Sequence, residues 1–288
     1  MRLARLLPPA LRPAGMKSGG PVVPVVRLQG AIMAAGSPLR PTLSLATVAP
    51  LLERAFSTKA PAVAIAINSP GGAPVQARLI YKRIRDLAKE KEREVIVFTE
   101  DVAASGGYMI ACAGDTIVAD PSSIVGSIGV ISQSFGFVEA IDKLGIERRV
   151  YTAGENKSTL DPFLPTDPND VEHLKNLQED VHRVFIDLVR EARGDRLGEH
   201  PDLFTGRFWS GVQARELGLV DELGDLRSVL RARFGDDVRP RVIAPPRGLF
   251  GRRTGGLGVE AGTVQAAAMI EGGLAALAER AQWSRYGL

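Results

Sequence analysis

The stretch EVIVFTEDVAASGGYMIACAGD, residues 94–115, decides the fold. Its opening, Glu94–Glu100, is a run of β-branched and aromatic residues that reads as a strand, and a helix opens near Ser105. The serine stands alone between two alanines and two glycines, where strand gives way to helix. Packing alone does not ask for a hydroxyl there. Two readings fit: a helix cap, or a nucleophile waiting for a base elsewhere in the chain.

Working outward, the same alternation continues on both sides. PVVPVVRLQG (21–30) reads as a strand, Leu43 to Phe56 as a helix, AVAIAIN (62–68) as a buried strand and RLIYKRIRDLAKE (78–90) as an amphipathic helix. After the decisive stretch come DTIVAD (115–120), the glycine-punctuated SSIVGSIGV (122–130) and the strand-like ERRVYTA (147–153). A long helix spans Val171 to Arg193, with Asp167 and Pro168 as its start signal. Strands separated by helices of this length imply right-handed crossovers and a mainly parallel sheet, an α/β fold. The expected organisation is a basic N-terminal arm over residues 1–20, one domain over 21–245, and a C-terminal extension over 246–288 whose alanine-rich part, Val264 to Ala281, reads as a helix.

Composition bounds the function. With 288 residues, 45% of them hydrophobic, the chain can bury a substantial core. Its one cysteine, Cys112, excludes an intrachain disulfide, and the apolar IACAG setting reads as a buried thiol. A net charge of +3 is too modest to call for nucleic acid. No run of about 18 apolar residues reads as a membrane span, and Pro8 and Pro9 interrupt the short apolar stretch of the basic N-terminus. Between Asp237 and Glu260 there is no acid, while five arginines sit near Leu249 and Phe250. That segment fits either a solvated linker or peripheral contact with an anionic membrane.

Two glycine sites bear on Ser105. INSPGG ends the AVAIAIN strand, and Gly71 and Gly72 there can turn backbone amides outward without a side chain in the way. The amide of Gly106, at a helix N-terminus, adds a second donor. Both lie at strand ends, as an oxyanion hole requires, although NSPGG is equally compatible with an ordinary turn. The three histidines, His173, His182 and His200, all lie far downstream and read as surface residues. Lysine is the remaining base, and it must be stripped of water to act at neutral pH. Lys157, in TAGENKSTLDPF (152–163), follows a strand-like run, but spacing alone does not separate it from a surface lysine. There is no His/Cys ligand cluster, and GGYMIACAG lacks the lysine of a phosphate loop, so neither a metal nor a nucleotide cofactor is called for.

NSPGG (68–72), ASGGYMIA (104–111), GSIGV (126–130) and GENKS (154–158), in this order, resemble the signal peptide peptidase A family, serine peptidases with a Ser/Lys dyad on the ClpP/crotonase fold. The resemblance covers Val22 to Phe234. It implies that Ser105 is the nucleophile and Lys157 the general base, that Gly71 or Gly72 with Gly106 holds the oxyanion, and that Ser127 orients the lysine amine. It further implies peptide substrates such as signal-peptide remnants, no cofactor, and a homo-oligomer that cages its sites. Many members of that family carry a membrane anchor before the peptidase domain, and here a basic arm stands in that position. A cytoplasmic protein touching the inner membrane is the expected setting, with a periplasmic one as the alternative. Rival readings are a crotonase-type acyl-CoA enzyme, which needs acids beside the hole that AASGGYM does not present, and an inactive peptide-binding scaffold.

Overall fold

A computed structural model describes residues 20–34, 42–244 and 280–287. At its centre lies β2 (Ala62–Ser69), every residue of which is buried. Its sequence alternates large and small: Val63, Ile65 and Ile67 join the larger core cluster, whereas Ala62, Ala64 and Ala66 join the smaller one on the opposite face. A strand covered on both sides shows no polar alternation, only this alternation of size. β1 (Val22–Gln29) and β3 (Glu94–Ala104) flank β2, both parallel to it.

Crossover helices bury the larger face. α1 (Leu45–Phe56) is capped by Ser44, whose hydroxyl accepts from the Thr47 amide, and α2 (Pro74–Lys91) starts with proline at its first position, where no amide is needed. In α2 the buried residues Ala77, Ile80, Ile84, Leu87 and Ala88 follow the three-and-four spacing of a single helical face. α3 (Gly106–Ala111) is buried throughout and follows directly on β3.

β3 is long enough to serve two neighbours on one edge. Its first half, Ile96–Thr99, pairs with β4 (Thr116–Ala119), and its last residues, Val102–Ala104, pair with β5 (Ile124–Gly126). At the changeover the Ser123 hydroxyl donates to the Glu100 carbonyl at 2.6 Å. The pairing of β2 with β3 is irregular at the same level, between Ile67 and Ser69. This irregularity falls where β2 runs into NSPGG and β3 approaches Ser105.

The remaining elements are α4 (Val138–Lys143), α5 (Pro168–Arg193), β6 (Phe208–Ser210), α6 (Gly211–Glu216), β7 (Glu222–Leu223), α7 (Leu226–Phe234) and β8 (Arg239–Val242). The main sheet path runs β6-β5-β3-β2-β1-β8, with β4 bridging β3 to β7, and only the β5–β6 pair is antiparallel. The expected α/β fold with a mainly parallel sheet is therefore the observed one. α7 covers the smaller face through Val229 and Leu230.

Two expectations change, and two fall largely outside the described residues. ERRVYTA is not a strand: residues 147–152 form no strand pairing among the described residues, and Tyr151 is 90% exposed. Its β-branched and aromatic content lacks an edge to join. The basic segment after Asp237 begins as β8, an exposed edge strand paired with β1, rather than as a linker. Of the C-terminal helix expected over Val264 to Ala281, only the end lies among the described residues; residues 280–284 are helical. The N-terminal arm over 1–19 lies outside them.

Candidate active site

Ser105 ends β3 with φ 52° and ψ −124°, a backbone conformation that costs a non-glycine residue about 1–3 kcal/mol. It occupies the N-cap position of α3, yet its side chain makes no capping hydrogen bond. The cap reading of this serine therefore fails. Its backbone is pinned from both sides: the amide donates to Gly126 O at 2.8 Å, and the carbonyl accepts from Met109 N at 3.0 Å. The hydroxyl, half-buried at the end of the strand, has no hydrogen-bond partner among the described residues.

Gly71 permits the closest approach to it. A Cβ on Gly71 would stand 2.7 Å from Ser105 Cβ and 2.9 Å from Gly106 N, and φ is +101°. The Gly71 amide is already used, donating to Ser69 Oγ at 3.2 Å. Gly72 differs. Its neighbours are zipped to the segment after β1, Ile32 N donating to Gly71 O at 2.8 Å and Ala73 N to Ile32 O at 2.7 Å, while the Gly72 amide itself has no partner among the described residues. The Gly106 amide has none there either, and Gly72 N lies 3.5 Å from where a Gly106 Cβ would sit. Two N–H groups without partners among the described residues thus lie at the turn that carries Ser105, at the positive end of a helix.

Ser127 lies next to this point. It is buried with φ 53°, and its amide donates to Arg207 O at 2.7 Å. Tyr286 covers it: the phenol oxygen is 3.3 Å from Ser127 Oγ and 3.5 Å from Pro70 O. The Tyr286 ring meets Phe208 edge-on at 5.2 Å and packs with Val102 and Ala104 of β3. Sequence reasoning missed this residue, because nothing local in a C-terminal WSRYGL announces a contact with residues more than 150 positions earlier.

Lys157 is elsewhere. It is exposed, its side chain makes no hydrogen bond or ion pair among the described residues, and its stem lies against Gly154. No hydrogen bond joins it to Ser105 or Ser127 within one chain. It belongs to an arm, residues 130–166, that stands largely in solvent; α4 within it buries nothing, and Phe135 is 80% exposed. The arm holds itself together by Phe137 stacked on Phe163 at 5.5 Å and by Arg148, which pairs with Asp161 and lies over the Phe163 ring.

None of the three histidines contacts Ser105. His173 is exposed, and His200 sits edge-on to Trp209. His182 departs from the surface reading: it is half-buried, and its Nε2 lies 3.0 Å from Ile128 O, tying α5 to the turn that carries Ser127. Among the described residues no group of His, Cys, Asp or Glu is arranged to hold a metal.

A strained serine at a strand-to-helix turn, facing two unpaired amides, is the equipment of acyl transfer. Comparison with known families agrees: the model of peptidase family S49 matches residues 87–234. The chain belongs to peptidase family S49. Among S49-type relatives, a putative protease of Synechocystis is 34% identical over 69% of this chain and 73% of its own length. The chloroplastic serine protease SPPA of Arabidopsis thaliana is 30% identical over 74% of this chain and 32% of that protein. A Brucella abortus protein named as a Na(+)/H(+) antiporter, NhaA, is 60% identical over 99% of this chain, which spans 39% of that protein's length. The antiporter name belongs to that longer protein. Among the described residues of this chain no helix is long and apolar enough to cross a membrane.

Proposed function

We propose that this S49 chain is an endopeptidase in which Ser105 attacks the scissile carbonyl and Lys157 is the general base. The observation that carries the reading is Ser105, strained in its backbone and making no capping bond, near the amides of Gly72 and Gly106, all three groups without partners among the described residues. In the proposed reaction Ser105 Oγ bonds to the carbonyl carbon while its proton passes to the neutral Lys157 amine. The carbonyl oxygen becomes an anion held by the Gly72 and Gly106 N–H groups. Collapse breaks the C–N bond, the leaving amine takes the proton from Lys157, and water then hydrolyses the acyl-enzyme by the same route in reverse. Ser127 is proposed to accept or donate to the lysine amine.

The pairing is proposed to form between copies of the chain. Lys157 is exposed on an arm that presents Ile131, Phe135, Leu144, Ile146 and Tyr151 to solvent, an apolar surface of the kind an assembly covers. Substrates are proposed to be peptides with apolar side chains, signal-peptide remnants among them; Val102, Ala104 and Ile124 supply an apolar floor beside Ser127. A cytoplasmic setting with peripheral membrane contact is proposed from the exposed Arg239 and Arg241 on β8, the described part of the acid-free stretch. A serine-directed fluorophosphonate tests the dyad. It should label the parent, leave Ser105→Ala unlabelled, and label Lys157→Ala far more slowly; rapid labelling of the lysine variant would remove Lys157 from the mechanism.

A further inference from the structure

Between β2 and the glycine loop lies a second serine that the reaction does not touch. Ser69 is fully buried, and its hydroxyl is used twice: it donates to Gly30 O at 2.7 Å and accepts from Gly71 N at 3.2 Å. Gly30 ends β1, so the hydroxyl links that strand's exit to the loop beside Ser105. The Ser69 backbone is equally confined, since a Cβ on Gly107 would stand 2.6 Å from Ser69 O. Three pieces therefore meet at this residue: the end of β1, the glycine loop, and the first turn of α3.

We infer that Ser69 is a positioning residue for the oxyanion hole, one that aims the Gly72 amide by holding the Gly71 peptide. The argument rests on the reading of Gly72 and Gly106 as the donors. Gly71 and Gly72 have φ of +101° and +136°, and adjacent glycines have little intrinsic preference to keep such a conformation. The Gly71 amide is buried and must be satisfied. While Ser69 Oγ accepts from it, that N–H points back towards β1, and the next N–H along, that of Gly72, is left to face Ser105. Without the hydroxyl the buried amide must find another acceptor, and the loop turns. An oxyanion donor displaced by about 1 Å costs roughly 100-fold in rate, and losing one donor outright costs about 10²–10³-fold.

The test compares an oxoester with its thionoester in Ser69→Ala. Sulfur accepts hydrogen bonds poorly, so the parent should prefer the oxoester, and a misaimed hole should narrow that preference. We expect kcat on a peptide substrate to fall by about 10- to 100-fold, KM to stay within about twofold, and the oxo/thiono ratio to drop along with kcat. Ser69→Cys, which keeps the shape but is a weak donor and acceptor, should fall between; it carries the test alone if the alanine variant does not fold. Equal loss on both esters, or an unchanged kcat, would overturn the proposal. Ser105→Ala is measured in parallel. If it stays active, the assignment of the nucleophile has failed; if it is dead while Ser69→Ala is unimpaired, only the role of Ser69 has.

Discussion

Ser105 and Gly71 are a matched pair at the residue scale. A methyl group on Gly71 would meet the Ser105 side chain and two backbone atoms, none of which can move without disturbing the turn. Gly71→Ala should therefore lower kcat by at least about 100-fold, read by peptide hydrolysis on protein whose melting remains cooperative. Gly106 was legible because it follows the serine directly, and Gly71 and Gly72 because a glycine pair ends the AVAIAIN strand. Ser69 was not, since its partner Gly30 lies 39 positions away. Beneath α3, Arg193 is 1% exposed and forms a two-pronged ion pair with Asp221 at 2.8 and 3.0 Å. Burial pulls the Asp221 carboxyl up, but hydrogen bonds from Arg193 and the Ile117 amide and the charges of Arg193 and Arg196 outweigh it, leaving the carboxyl below its ordinary value. A depressed carboxyl adds stability that is fully present above the unfolded value of about 3.9 and is lost as pH falls through the lower folded one. Asp221→Asn leaves a buried guanidinium without its counter-charge and should cost about 3–5 kcal/mol near neutrality, a gap that closes in acid when melting is followed against pH. Cys112, in the same core, has its thiol pushed up to about 12 by burial. Iodoacetamide should leave it unmodified in the native protein at neutral pH and react once denaturant is added; rapid native alkylation would contradict the packing.

Elements were legible where the pattern was long. β2 is eight residues of continuous core, β3 buries Val95–Thr99 without a break, and α2 carries eighteen residues with one apolar face, enough for periodicity to speak. β6 and β7 have three and two residues, and β8 is exposed throughout. Such edge strands exist because a neighbour offers hydrogen bonds, which no local pattern reports. ERRVYTA shows the converse, a strand-like composition without a neighbour. The C-terminal segment is the least expected element: Trp283 and Tyr286 pack on Val102, Ala104 and Ile124 at the end of the sheet. Ending the chain after Glu279 uncovers that apolar floor and Ser127. We expect KM for apolar peptides to fall several-fold with kcat little changed, measured against the full chain; an unchanged KM would show that this floor is not part of the substrate groove.

The whole molecule divides into a packed α/β body and an arm that buries almost nothing. Ser105, Gly72 and Gly106 belong to the body, Lys157 to the arm, and within one chain no hydrogen bond connects the two sets. Sequence motifs named both residues but carried no information on where the arm goes, because its large apolar side chains find no cover among the described residues. An assembly that lends each Ser105 a lysine from a neighbour would keep an isolated chain silent and couple activity to oligomer formation. Peptide hydrolysis by Ser105→Ala and Lys157→Ala, each alone and then mixed in equal amounts under conditions that exchange subunits, tests this most directly. Each variant alone should be inactive and the mixture should regain a substantial fraction of the parent rate, since one variant supplies the serine and the other the lysine. Full activity of Lys157→Ala on its own, or a mixture as inactive as its parts, would contradict it.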